Sequence, residues 1–112
     1  MRFMMMAIPE GQGSPAPAAA AKMLEYNKSL QKAGVLLAFD GLFPPSTGAR
    51  ISYADGKPAV TSGPFAVIGG YWIIQVRSRE EAIEWAKRAP MSGNEMIEVR
   101  QIYTYERCPK DD

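Results

Sequence analysis

Two stretches of this chain are apolar on both faces of an extended strand, and that restricts the available folds more than any other feature of its 112 residues. In residues 2–8, Phe3, Met5 and Ala7 alternate with Met4, Met6 and Ile8, and residues 71–77 (Tyr71, Trp72, Ile73, Ile74, Gln75, Val76, Arg77) are apolar on both sides over most of their length. Side chains alternate across a strand, so such segments need cover on both sides and belong in the middle of a sheet.

Between them the pattern changes period. Ser14-Pro15 offers a capping oxygen and a first-turn proline. Ala19, Met23, Tyr26, Leu30 and Ala33 then recur at helical spacing, with Lys22, Glu25, Lys28 and Lys32 facing outward and Gly34 as a left-handed stop. Val35 to Phe39 reads as a short strand, and Asp40 to Gly48 as a loop rich in Gly and Pro. Ala49–Ala54 and Lys57–Thr61 flank Asp55-Gly56, a dipeptide that accepts the positive φ angles of a hairpin turn, and Pro58 confines its strand to an edge. Ser78-Arg79-Glu80-Glu81 is a capping box opening a second helix that runs to about Ala89. Its buried stripe is Ala82, Trp85, Ala86 and Ala89, and Pro90 ends it; Met96 to Tyr105 is the closing strand.

Strand, helix, strand with an added hairpin, strand, helix, strand is the ferredoxin-like βαββαβ order, an α+β fold with both helices on one face of an antiparallel sheet. It accounts for residues 1–112 as one domain. The other sheet face is then bare and largely apolar. Four strands ~4.8 Å apart and ~20 Å long present a face on the order of 400 Å², at the limit of what a monomer exposes. A face-to-face homodimer, closing a dimeric α/β barrel, is the expected solution.

Composition removes several function classes. Thirteen basic against twelve acidic residues give a net charge of +1, so no broad field draws in nucleic acid or anionic lipid. No apolar run approaches the ~20 residues of a membrane span, and the run at residues 3–8 stops at Pro9-Glu10, too soon for a secretory signal. The lone cysteine, Cys108, has no partner for an intramolecular disulfide, which points to a reducing, cytoplasmic setting; it reads as an incidental thiol. The chain has no histidine, so the commonest neutral-pH acid/base and the commonest metal ligand are both missing. No metal-ligand spacing, phosphate loop or catalytic triad stands out, and Gly69-Gly70 lacks the setting of a dinucleotide fingerprint, so no metal or cofactor is expected.

Ser62-Gly63-Pro64-Phe65-Ala66, followed by Gly69-Gly70-Tyr71-Trp72, resembles the YCII-related family, whose DGPF branch is named for Asp-Gly-Pro-Phe. Gly34-Val35-Leu36-Leu37, Gly41-Leu42 with Pro44-Pro45, Glu81-Ala82 with Trp85-Ala86 and Pro90, and Glu98-Val99-Arg100 extend the resemblance over nearly the whole chain. It implies the same dimeric α/β barrel. By the same resemblance, similar barrels host isomerases and cofactor-independent monooxygenases, and DGPF relatives are associated with alternative sigma factors. The chain departs from the family pattern at three places: Ser62 replaces the aspartate of the branch name, the loop after Ala66 is short, and Met23 stands where other relatives carry a helix histidine paired with an aspartate.

The candidate site residues each carry a plain alternative. Asp40, after the Val35–Phe39 strand, is the best carboxylate for a general base at the mouth of a cleft between sheet and helix; otherwise it is a turn aspartate. Glu98 and Arg100 share a strand face and with Trp72 can line a polar-ligand pocket, or simply pair as ions. Gly63-Pro64-Phe65 offers close backbone approach and a flat apolar wall, or a turn with a core aromatic. Tyr26 belongs to the packed helix stripe rather than to proton transfer. Two functions follow: a small-molecule binder, extending to a cofactor-independent enzyme, or a non-catalytic interaction module. A purely structural dimer is the third and least informative reading.

Overall fold

The computed structural model describes residues 1–10, 17–61, 67–91 and 93–105. Along the chain the elements are β1 (Arg2–Ile8), α1 (Pro17–Lys32), β2 (Leu36–Gly41), β3 (Arg50–Ser52), β4 (Ala59–Thr61), β5 (Gly70–Gln75), α2 (Arg79–Lys87) and β6 (Met96–Ile102). The four longer strands form one antiparallel sheet in the order β2-β5-β1-β6, the ferredoxin-like arrangement, while β3 and β4 pair separately as a two-stranded ribbon. β1 and β5, the two strands apolar on both faces, are the two interior strands.

Register assigns the faces. Met5 lies opposite Trp72 on one side and Val99 on the other, and Phe3 opposite Ile74. Phe3, Met5, Trp72 and Ile74 are buried with Tyr26 and Leu30 of α1 and Ala82 of α2, so both helices cover this face and the core lies between. Among the described residues no helix lies on the opposite face, in keeping with a body only 20 Å across its shortest axis, about two layers thick.

Helix α1 buries Tyr26 and Leu30 and rests Met23 on the core, as its spacing predicts. Ala33 departs from that stripe and is exposed, because the helix ends at Lys32 and Gly34 turns the chain at φ 75°. The stripe also contains a residue its apolar spacing does not announce. Asn27 is buried, and its Oδ1 accepts a 2.7 Å bond from Trp72 Nε1, satisfying an indole N–H that the core would otherwise leave unpaired. Tyr26 donates its hydroxyl to the Trp85 carbonyl at 2.6 Å, tying α1 to α2, and its ring meets Trp72 edge-on at 5.6 Å.

Local signals need small corrections. Ser78 caps α2 by accepting from Glu81 N at 3.1 Å, but the Glu81 carboxylate reaches Arg77 N at 3.2 Å, one residue before the cap. The helix stops at Lys87, where the Arg88 N–H turns back to the Ala86 and Trp85 carbonyls; Ala89, beyond the helix, still packs on the core. β6 ends at Ile102 rather than Tyr105, because β1, its one partner, supplies no residue beyond Arg2, which lies opposite Ile102. The predicted hairpin exists with shorter strands: Asp55 and Gly56 sit at φ 57° and 75° inside a short 3-10 turn at Ala54–Gly56, which takes residues from both arms. Ser14, at the expected start of α1, and the Ser62–Ala66 segment lie outside the described residues, as does Cys108.

Candidate functional site

Sequence reasoning ends the second strand at Phe39 and leaves Asp40 in a loop; in the structure β2 continues through Gly41 and Asp40 is a strand residue. A bulge at Leu37, between the Leu36–Ile74 and Ala38–Ile73 pairs, resets the alternation, so that Ala38 and Asp40 face away from the helices while Phe39 stays opposite Trp72. The continuation depends on Gly70. A Cβ there would lie 2.9 Å from the Asp40 carbonyl oxygen, so only glycine lets β5 come this close to β2.

Across the helix-free face the pairings set residues in rows. Asp40, Tyr71, Met6 and Glu98 form one row from β2 to β6, and Ala38, Ile73, Met4 and Arg100 form the next. Met6, Met4 and Ile73 make the middle of the rows apolar; Asp40 and Glu98 end the first, and Ala38 and Arg100 end the second. Tyr71 donates its hydroxyl to Asp40 Oδ2 at 3.1 Å, and that bond, with the carboxylate charge behind it, raises the phenol above its ordinary pKa. Ionising Tyr71 would set two anions side by side. At the far edge Arg100 meets Glu98 at 3.3 Å, an exposed pair of the kind worth less than ~1 kcal/mol.

The structure therefore divides the residues chosen from sequence. Asp40, Glu98 and Arg100 share the uncovered face, but Asp40 and Glu98 stand three strand spacings apart, ~14 Å, too far to grip one small functional group together. Trp72 does not join them: it is 4% exposed on the helix side, with its N–H spent on Asn27. Gly63, Pro64 and Phe65 lie outside the described residues. Tyr26, with its hydroxyl bonded to a backbone carbonyl, is pushed by burial up to about 12, and so serves as a neutral structural donor. Tyr71 is the residue that sequence reasoning missed, because its relation to Asp40 is a matter of strand register alone.

A second concavity lies on the helix side. Ile83, Ala86, Ala89, Met91, Ile97 and Val99 line an open recess of about 440 Å³ between α2 and β6. Its charged margin is Lys87, which pairs with Glu84 at 3.3 Å, so the walls offer apolar contact and little chemistry. Among the described residues, no group of three or more His, Cys, Asp or Glu gathers at metal-binding spacing, and no helix is long and apolar enough to cross a membrane. In comparisons with known proteins, the YCII-related domain matches residues 1–106. No curated protein matches.

Proposed function

The chain belongs to the YCII-related family, and from that premise we propose that it forms a face-to-face homodimer and binds a small polar molecule beside Asp40 and Tyr71, with Asp40 as proton acceptor in a cofactor-independent reaction. One observation carries the reading: the 3.1 Å bond from Tyr71 Oη to Asp40 Oδ2 at the β2 edge of a sheet face centred on Met4, Met6 and Ile73. A neutral phenol beside a carboxylate is a donor and an acceptor held together. Among the described residues Asp40 Oδ1 has no partner, which leaves it to take a proton from a bound molecule, while Tyr71 can swing its hydroxyl to a developing negative oxygen.

Dimerisation supports the same site. Packing two helix-free faces together buries Met4, Met6 and Ile73 at the centre and leaves the Asp40 edge at the rim, where a ligand can enter a partly dehydrated margin. Glu98 and Arg100 are retained as polar residues of the opposite edge that a ligand or the partner copy can meet.

The test is a thermal-shift screen of small acids, ketones and phenols against the wild-type protein, Asp40→Asn and Tyr71→Phe. The reading expects at least one compound class to stabilise the wild type, with the shift abolished in Asp40→Asn and reduced in Tyr71→Phe. Shifts of equal size in all three proteins, or none in any, would remove Asp40 and Tyr71 as a binding pair.

A further inference from the structure

Leu42 N donates to Gly69 O at 2.9 Å, immediately beyond the Gly41–Gly70 pair and so beside Asp40 and Tyr71. Beyond this bond the chain builds the β3–β4 ribbon, and among the described residues those two strands pack chiefly on each other.

An isolated two-stranded hairpin is marginal in water, and the described contacts of β3 and β4 are mainly with each other. The ribbon is also apolar where it should be wet. Ile51 is 47% exposed, Tyr53 70%, Val60 76%, and Phe43 on the stalk 84%. Residues 50–61 carry only Arg50, Asp55 and Lys57 as charges, too balanced a set for an arm that grips nucleic acid or a strongly charged protein.

We propose that this ribbon is an arm that closes over a second copy of the same chain, clasping the face-to-face dimer on which the proposed function rests. The areas favour a further contact of this kind. Two bare sheet faces of on the order of 400 Å² each remove ~800 Å² in total, no more than an ordinary crystal contact and short of the ~1,200–2,000 Å² of a stable interface. Phe43 and Tyr53 together expose on the order of 300 Å² per copy, and covering them in both copies lifts the total to ~1,400 Å². Since the arm springs from the strand step next to Asp40 and Tyr71, its closure also shields that pair.

The dimer dissociation constant of the wild type and of Tyr53→Ser/Val60→Ser, measured by sedimentation equilibrium, tests the arm. Both substitutions are at exposed positions, and far-UV circular dichroism checks the fold. As a second measurement, amide exchange across residues 50–61 is followed in the wild type at concentrations above and below the dissociation constant. The arm predicts at least tenfold weaker dimerisation of the variant and slower exchange in the dimer than in the monomer. A wild-type dimer with an unchanged constant in the variant overturns the arm and leaves the face-to-face dimer standing; a wild type that is monomeric throughout overturns both.

Discussion

Replacing Tyr26 by Phe removes one hydroxyl and leaves the ring against Trp72. At pH 7 the loss is one hydrogen bond, from Tyr26 Oη to the Trp85 carbonyl, worth ~0.5–1.5 kcal/mol. At high pH the sign of the advantage changes. Burial raises the folded-state pKa of Tyr26 from 10.0 to about 12, so the fold disfavours the phenolate. Stability linked to this group is therefore complete below pH 10, the unfolded value, and disappears as pH rises through about 12. Two units correspond to roughly 3 kcal/mol in full, and the linkage relation gives about half of that already lost at pH 11. The wild type should thus be ~1 kcal/mol more stable than Tyr26→Phe at pH 7, and the two should be about equal near pH 11. Urea unfolding of both proteins at pH 7, 9, 10 and 11 measures this difference directly. A gap that stays constant from pH 9 to 11 would show that Tyr26 ionises as freely in the folded chain as in the unfolded one, and the buried clasp between α1 and α2 would be refuted.

Asn27→Ala should cost ~1–3 kcal/mol in the same urea assay, because it strips the acceptor from a buried indole N–H; an unchanged midpoint would mean that Trp72 is not held this way. Asp40→Ala should lower the Tyr71 pKa toward its ordinary value, read by NMR of ring-labelled tyrosine, and a titration identical to wild type would break the proposed pair. Ser78→Ala should destabilise by ~1 kcal/mol through loss of the Glu81 N cap, with no effect on dimerisation if α2 lies outside the interface.

The fold was legible in the sequence because its strongest signals are local. Helix α2 announces itself through Ser78 and Glu81, α1 through the spacing of Met23, Tyr26 and Leu30, and the central strands through apolar residues on both faces. That last signal also hides what matters for the site. A strand that alternates apolar with polar residues shows which way each points, whereas Tyr71-Trp72-Ile73-Ile74 has no polar phase to read. In the sequence Trp72 therefore groups with Glu98 and Arg100, and nothing marks Tyr71. The face of Asp40 depends on a bulge at Leu37 and on the close approach permitted by Gly70, both properties of paired strands. The Asn27 acceptor was hidden in a different way: a polar residue flanked by Met23, Tyr26 and Leu30 reads as the margin of a stripe until the indole N–H it serves is in place.

If the helix-free face is a dimer interface with Asp40 and Tyr71 at its rim, disabling that face must separate the copies. Native mass spectrometry of freshly purified protein at low micromolar concentration, alongside Met6→Asp, tests it most directly. Met6 sits mid-row between Tyr71 and Glu98, so a charge there disables the face without touching the helix-side core. The account predicts a wild-type dimer, with any retained small molecule as added mass, and a folded monomer for Met6→Asp. A monomeric wild type, or a dimer indifferent to Met6→Asp, would contradict it.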